Sequence, residues 1–198
     1  MKISKKYFNV LSLLIIFTLS LSFISCGSSA VPDDSVKAFF GSLQKQDFKT
    51  ASTYVKDANN SINFDNPQQK EIVNKIVSKL QYEIISSTTD GDTAKVKTKI
   101  TSPDLVKVTG KMVSDLLPTL FAQALNGEKT DQAKTDKMVT DYFIKNIDDP
   151  KVEMISNEVE INLVKNKNTW LLVGDDDLIN AITGNLTKAF ADLSTSAQ

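Results

Sequence analysis

The residue types that most often carry catalysis and metal binding are missing from this chain. Among 198 residues there is no histidine, and all 23 basic residues are lysines. Histidine is the commonest general base and zinc ligand, and arginine supplies the bidentate fork that holds phosphate or carboxylate. The sequence therefore excludes Ser-His-Asp catalysis, Cys-His catalysis and the usual zinc sites. Carboxylates, lysines, tyrosines and serines remain, and we expect a protein that is not an enzyme and needs no cofactor.

Two acidic clusters have the residue types of a cation site. Asp175-Asp176-Asp177 offers three adjacent carboxylates, but it lacks the spaced ligands and the closing glutamate of a calcium loop. A helix N-cap is the preferred interpretation. Asp90-Gly91-Asp92 stands between two strand-like runs, where Asp-Gly favours a tight hairpin turn over a metal loop. We therefore predict no metal site at either cluster.

A row of lysines is a candidate surface for anionic polymers of a cell envelope. The segment from Thr93 to Thr101 alternates strictly between apolar residues and Lys95, Lys97 and Lys99, which is typical of a half-buried antiparallel strand. A later segment with strand period carries Glu158 and Glu160 on its polar face. Opposite charges on facing strands stabilise a sheet. The preferred interpretation is a solvated face, with these two strands as neighbours.

The single cysteine, Cys26, follows a segment with the layout of an export signal. An uncharged stretch of 15 residues, 10–24, comes after three lysines and is followed by the small residue Ser25. That stretch is shorter than the roughly 20 residues a transmembrane helix needs, and the layout is that of a secretory signal peptide. Phe23-Ile24-Ser25-Cys26 resembles the lipobox of bacterial lipoproteins, with phenylalanine where leucine is usual. A secreted protein with a free thiol and an uncleaved anchor are the alternatives.

The lipobox implies that residues 1–25 are removed and that a diacylglycerol is attached to Cys26. Two acyl chains are enough for stable anchoring. Residues 26–32 would then form a flexible tether on the extracytoplasmic face of the cell membrane. The remaining chain has 20 lysines against 24 acidic residues, a net charge of −4, because the removed segment contains three lysines and no acidic residue. This mild acidity argues against nucleic acid as a partner.

Hydrophobic spacing predicts helices, a hairpin, a helical pair, a second hairpin and a last helix. The predicted helices begin near Pro32, Phe48, Pro67, Pro103, Asp131 and Asp175, and the predicted strands are Tyr82–Thr89, Thr93–Thr101, Lys151–Leu163 and Trp170–Val173. Pro118 should kink or split its helix. Out-of-phase apolar residues predict a bulge near Ser156-Asn157. Because helices and strands are segregated along the chain, the class is α+β with an antiparallel sheet.

One stretch adds a resemblance to this pattern. The segment from Val36 to Val55 contains Lys45-Gln46-Asp47-Phe48-Lys49-Thr50-Ala51 between two helices, and it resembles the opening of the nuclear transport factor 2-like superfamily. Trp170 falls on a late strand, as in many members. The resemblance implies a cystatin-like cone over residues 33–195, with N-terminal helices on a curved four-stranded antiparallel sheet. The helical pair at 103–147 would be an insertion and the C-terminal helix an addition. The chain is also similar to lipoproteins of Gram-positive bacteria in or near that superfamily.

A ligand site in the concave face of the sheet is what the cone resemblance implies. Some members of the superfamily are isomerases or hydrolases that use a buried Asp with a Tyr. Tyr54, Tyr82 and Tyr142 are the tyrosines that could line such a pocket, although packing in the core or the pocket wall is the simpler interpretation for each. No catalytic motif of the superfamily is matched, so no catalytic residue is assigned.

The helical pair carries more apolar residues than one packed face needs. Met112, Leu116, Leu117, Leu120 and Phe121 could pack in the core, cover the mouth of the cone or contact a partner. Leu117 and Phe121 lie off the main stripe and leave surplus apolar surface. The inserted helices are therefore a candidate lid or dimer surface.

The sequence thus predicts a lipid-anchored domain that binds a hydrophobic small ligand or another envelope protein. The alternatives are a cone-type enzyme with a buried Asp or Glu beside a Tyr, and a purely structural envelope protein. A buried carboxylate with a raised pKa in an apolar pocket would favour the enzyme. A core packed solid with side chains would leave protein contact through the inserted helices as the surviving hypothesis.

Overall fold

The structure, a computed structural model, describes residues 30–58, 67–125 and 131–187. In these ranges the elements are α1 (Pro32–Gln44), α2 (Phe48–Ser52), α3 (Pro67–Ser78), β1 (Gln81–Asp90), β2 (Thr93–Pro103), α4 (Leu105–Leu125), α5 (Gln132–Asp148), β3 (Met154–Asn166), β4 (Thr169–Leu172) and α6 (Asp176–Ile182). The class is α+β, as predicted. The signal peptide, Cys26, most of the tether and the end of the predicted domain lie outside the described residues.

The four strands form one antiparallel sheet in the order β1-β2-β3-β4. Asp90 pairs with Thr93, so Gly91 and Asp92 form a two-residue hairpin loop between β1 and β2. Gly91 has φ +56°, a left-handed conformation that costs glycine little and that hairpin turns require. The hairpin turn predicted from Asp90-Gly91-Asp92 is confirmed.

The long pairing of β2 with β3 confirms the predicted neighbourhood of the lysine and glutamate rows. Lys97 lies opposite Glu160 and Lys99 lies opposite Glu158. Every second residue of β2 from Ala94 to Ser102 is buried, whereas the lysines between them are exposed. One face of the sheet therefore belongs to the core and the other carries the charges.

The predicted bulge near Ser156-Asn157 is wrong. β3 pairs with β2 in one unbroken register from Met154 to Val164, and the irregularity lies in β1, between Ile84 and Ser86. The misleading residue was Met154, which is 38% exposed on the outer face. Asn157 lies on the inner face of the sheet although it is polar, so the hydrophobic pattern could not identify it as an inward residue. Its Oδ1 accepts a hydrogen bond from Asn185 Nδ2 at 3.3 Å.

Three helices cover the inner face of the sheet. α1 contacts β1, β2 and β4, α3 contacts β2, and α6 contacts β2 and β3. The predicted inward residues of α1, Val36, Phe39, Phe40 and Leu43, are all buried. Phe40 is fully buried and stacks on Tyr82 of β1 with ring centroids 4.8 Å apart. This burial of apolar surface is the main stabilising term of the fold.

The second helix is shorter than the pattern predicted. Asp47 caps α2 by accepting a hydrogen bond from Thr50 N at 3.0 Å, but the helix ends at Ser52. Val55 instead forms a parallel bridge with Leu172 of β4. Lys56 N donates to Leu172 O at 2.8 Å, and Leu172 N donates to Tyr54 O at 2.7 Å. These bonds cover part of the outer edge of the sheet, a role that helical spacing could not reveal.

The helical pair α4–α5 connects β2 to β3, and its two ends meet at the end of the sheet where β2 stops and β3 begins. Pro103 ends β2 rather than starting a helix, and Asp104 N donates to Glu153 O at 2.8 Å. At the base of the pair, Leu105 and Ile147 pack with Ile76 of α3. Asp131 caps α5 by accepting from two backbone amides. α4 is one continuous helix with Pro118 inside it, so the predicted split does not occur.

The helix predicted from Asp175 onward is interrupted at a glycine, and the backbone is helical again at residues 186–187. α6 stops at Ile182, Gly184 has φ +58°, and Asn185 N donates to Asn180 O at 2.8 Å. This is a Schellman cap, with glycine in the left-handed position after the helix. The predicted inward residues Phe190 and Leu193 lie outside the described residues.

Candidate functional site

The outer half of α4 packs on one side only. Near its start, Leu105 and Val108 are buried in the core, with 1% and 7% exposure. Further on, Met112, Leu116 and Leu120 are half-buried, and α5 is the element that α4 chiefly contacts. Because these three residues are spaced by four, they lie on one side of the helix. The remainder of the helix surface is left to solvent.

Four apolar side chains follow one another along that open surface, and we call them the α4 stripe: Val113, Leu117, Phe121 and Leu125. Their exposed fractions are 51%, 59%, 64% and 72%. In the ranges that the structure describes, these are the four most exposed large apolar side chains. The surplus surface predicted at Leu117 and Phe121 is confirmed. Val113 and Leu125 were missed, although their spacing of four residues from these two was a usable signal.

The segment around the α4 stripe is almost free of charge. Between Met112 and Leu125 the only ionisable residue is Asp115. Its carboxylate accepts a hydrogen bond from the hydroxyl of Tyr142 on α5 at 2.7 Å. Desolvation by burial first, and then this hydrogen bond, raise the pKa of Tyr142 to about 12. The phenol therefore keeps its proton at neutral pH and links the two helices.

The three predicted tyrosines do not meet in a common pocket. Tyr82 stacks on Phe40 at the β1 edge of the sheet. Tyr54 is half-buried, and its carbonyl accepts from β4 at the opposite edge. Tyr142 lies on α5 beside Asp115. Packing explains the first two, as the simpler interpretation expected.

The one buried carboxylate in the described ranges serves as a helix cap. Asp104 is 7% exposed, and its Oδ1 accepts from the backbone N–H of Lys107 at 3.1 Å. The Nζ of the same lysine lies 3.7 Å from Oδ2. A carboxylate that caps the start of a helix and pairs with a lysine stabilises that helix. This arrangement differs from the buried acid beside a tyrosine that the enzyme alternative requires.

Side chains fill the inner face of the sheet, where the cone resemblance implied a ligand site. The largest fully buried side chains include Phe40, Ile100, Ile161, Leu163 and Leu172, which come from α1 and three strands. A groove of about 720 Å³ does lie elsewhere, between α3 and α5. Its walls combine polar residues such as Glu71 and Lys137 with the apolar residues Ile72 and Val139, and it lies away from the face of the sheet where the resemblance implied a ligand.

The acidic cluster at Asp175 is a helix cap, as predicted. Its side chain accepts from Leu178 N at 2.9 Å, and Asp176 and Asp177 lie in the first turn of α6. There the helix dipole favours negative charge. Within the described ranges, no group of three or more metal-ligating side chains is arranged to hold an ion.

Two of the three lysines in the row, Lys95 and Lys97, are paired with acids. Lys95 lies 2.6 Å from Glu160, and Lys97 lies 2.7 Å from Glu158. Both pairs run diagonally across the two strands, because each glutamate lies two residues from the position directly opposite its lysine. The hydrogen bond from Lys97 is the main cause that lowers the pKa of Glu158. Exposed pairs of this kind contribute little to stability, but they neutralise the charges of Lys95 and Lys97 on the outer face of the sheet.

Comparison of the chain with family models, with curated proteins and with solved structures found no match. The resemblance to the nuclear transport factor 2-like superfamily therefore stays a prediction. None of the helices in the described ranges is both long and apolar enough to span a membrane. Among the features in these ranges, the α4 stripe is the best candidate for a functional surface.

Proposed function

We propose that this protein is a lipoprotein, held by a diacylglycerol on Cys26 at the extracytoplasmic face of the cell membrane. Its domain would be a non-enzymatic module that binds another protein through the α4 stripe. The observation that carries the second part is the exposure of four large apolar side chains on one helix. The inner face of the sheet, by contrast, is covered by buried side chains. The lipobox at Phe23–Cys26 supports the first part.

The size of the α4 stripe supports a contact surface. With more than half of each side chain exposed, the four residues present on the order of 400 Å² of apolar surface to solvent. A patch of that size in a monomer is often functional. Covering it would contribute roughly 10 kcal/mol before the costs of association are subtracted. Leucine and phenylalanine are also side chains that can fill a partner's pocket.

The charges favour a protein over an anionic ligand. Two of the three lysines that could have attracted an envelope polymer, Lys95 and Lys97, are paired with glutamates at 2.6 and 2.7 Å. The described parts of α4 and α5 contain five lysines, and the acids there and at the caps Asp104 and Asp131 number six. A surface without excess positive charge around an apolar stripe gives no electrostatic attraction to phosphate-rich partners. It suits the uncharged centre of a protein interface.

The anchor is tested by growing cells with an alkyne-tagged fatty acid. The wild-type chain should take up the label and sediment with membranes, and Cys26→Ser should lose the label. Ser29→Ala, three residues away, is the matched control and should keep both properties. A wild-type chain that reaches the envelope without label would overturn the anchor, whatever the domain binds.

The contact surface is tested by site-specific photocrosslinking in cells. A photoreactive amino acid in place of Phe121 should give covalent adducts with a protein. The same amino acid in place of Ile179, an apolar residue of α6 that is 47% exposed, should give none. Equal adducts at both positions would mean that exposure alone, rather than the α4 stripe, decides the contacts.

The enzyme alternative has one observation in its favour, the hydrogen bond from Tyr142 to Asp115. It brings a carboxylate and a tyrosine together, although Asp115 is exposed and the enzyme alternative requires a buried acid. The pair lies between two helices outside the sheet, however, and the pKa of Tyr142 is raised to about 12. A catalytic acid or base works best with a pKa near the operating pH. The pair therefore supports a structural link between α4 and α5 more than it supports catalysis.

A further inference from the structure

We infer that the partner of the α4 stripe is a second copy of this chain, and that two α4 helices pair about a two-fold axis. This inference rests on the proposed role of the α4 stripe as a protein-contact surface. It adds the identity of the partner, the symmetry of the complex and the residues at its centre.

The spacing of the α4 stripe is suited to self-pairing. Val113, Leu117, Phe121 and Leu125 follow one another at intervals of four residues, so they form a single ridge inclined to the helix axis. Ridges of this kind interdigitate with the same ridge on another helix, at a crossing angle of about −50°. A two-fold axis between Leu117 and Phe121 places each Leu117 against Phe121 of the second copy. It also places the smaller Val113 against the larger Leu125.

The charges permit two copies to meet. A two-fold axis brings identical residues together, so any net charge near the axis would repel itself. Between Met112 and Leu125 only Asp115 is ionisable, and it already accepts a hydrogen bond from Tyr142 at 2.7 Å. A lipid surface is the main rival occupant. Helices that bind such surfaces carry lysines on their polar face, whereas this segment contains none.

The area of the α4 stripe sets the strength of the dimer. On the order of 400 Å² per copy is about half of what a standard interface buries on each side. We therefore expect a weak dimer in solution, with a Kd on the order of 10 micromolar. If both copies are held on one membrane, confinement raises their effective concentration, and the same contact then suffices.

Sedimentation equilibrium of residues 27–198 tests the inference. The core lies within the compact unit Val31–Gln198, so we expect residues 27–198 to fold without the leader and without a lipid. The wild type should approach twice the monomer mass as its concentration rises. Leu117→Lys should raise Kd on the order of a hundredfold, because a two-fold interface contains each substitution twice. Ile179→Lys, at a similarly exposed position, should leave Kd unchanged.

Thiol crosslinking supplies a second measurement, whose positive result is the gain of a covalent dimer rather than the loss of binding. The sequence after Cys26 contains no cysteine, so Phe121→Cys gives a single thiol beside the axis. A short bismaleimide should join two copies of this variant and should leave Ile179→Cys monomeric. The fluorescence of the buried Trp170 checks that each variant is folded.

Three results would overturn the inference. A wild-type chain that stays monomeric at millimolar concentration would exclude the second copy. If Phe121 then crosslinks to a different protein in cells, the proposed function stands and only the partner is wrong. If the monomer instead binds anionic phospholipid vesicles and Leu117→Lys abolishes that binding, the α4 stripe is a lipid contact. None of these results depends on whether Cys26 carries a lipid.

Discussion

Phe40 and Phe121 show how differently the two parts of this molecule treat the same side chain. Phe40 of α1 is fully buried against the sheet, whereas Phe121 of α4 is 64% exposed. Both residues lie in helices that the hydrophobic spacing predicts. What differs is the number of elements that reach them. α1 contacts three strands and two other helices, but the outer half of α4 packs chiefly on α5.

This difference teaches that a helix needs more than one neighbour to bury a wide apolar face. A sheet presents a broad surface that covers the whole stripe of a helix, whereas a second helix covers only a narrow strip. In α4 the covered strip consists of Met112, Leu116 and Leu120, which are half-buried. The residues of the α4 stripe lie beside that strip and stay more than half exposed, and for this reason we assign them an intermolecular role.

The largest expected effect comes from the same substitution in both regions. Phe40→Ala should lower the free energy of unfolding by about 3–5 kcal/mol, because it leaves a cavity in the core. Phe121→Ala should change it by less than about 0.5 kcal/mol in the monomer. Denaturant unfolding at low protein concentration measures both values. Equal losses would mean that Phe121 is buried and that the two regions are alike.

Two glycines sharpen the contrast next. A Cβ at Gly184 would lie 2.0 Å from Pro103 O, and this residue has φ +58°. Gly184→Ala should therefore cost about 3 kcal/mol, from strain and overpacking against the end of β2. Gly110→Ala in α4 meets nothing within 4 Å and should stabilise the helix by up to about 1 kcal/mol. Thermal unfolding of the two variants should shift in opposite directions, and a loss at Gly110 would contradict the open surface described for α4.

Helix caps give a smaller effect and test whether the regions unfold together. Asp175→Ala removes the cap of α6 on the sheet and should cost about 1 kcal/mol of global stability. Asp131→Ala removes the cap of α5 and should act mainly on the helical pair. We expect it to speed amide exchange in α5 while exchange in β2 and β3 stays slow. Uniformly faster exchange would mean that the helical pair and the sheet unfold as one unit.

The smallest effect depends on pH and concerns the link between α4 and α5. The pKa of Tyr142 is raised from 10 to about 12 in the folded state. The contribution of the protonated Tyr142 to the free energy of unfolding is therefore complete below pH 10 and is lost as the pH rises through about 12. Tyr142→Phe should remove this alkaline loss from the exchange rates of α4 and α5. A Tyr54→Phe control should retain it, and an unchanged alkaline profile in Tyr142→Phe would contradict the assigned link.

The sheet was predictable because its signals are short and chemical. Strict alternation in β2, an Asp-Gly turn and matching rows of Lys97 and Glu160 together determine strand boundaries, hairpin and neighbour. The exposed apolar surplus on α4 was predictable for a similar reason, since Leu117 and Phe121 fall outside the stripe that α5 can cover. These features depend only on the period of the chain and on side-chain polarity.

The errors arose where tertiary contacts override local period. Met154 is apolar but lies on the outer face, so the inner position of Asn157 looked like a break in phase. Val55 fits the helical spacing of α2, yet it forms a parallel bridge with Leu172 of the edge strand β4. Gly184 carried a usable signal, because glycine after a helix favours a cap, but the apolar residues beyond it suggested continuation. Cys26 remains a sequence argument, since it lies outside the described residues.

The two ends of the helical pair meet where β2 stops and β3 begins, and this arrangement has a consequence for folding kinetics. β2 and β3 share the longest register of the sheet, but 50 residues of chain separate Pro103 from Met154. Closing so long a loop costs entropy before any strand pair compensates it. Two antiparallel helices that form first bring the ends of that loop together through local contacts. On this view α4 and α5 act as an internal folding nucleus, and weakening their contact should slow the folding rate more than it speeds unfolding.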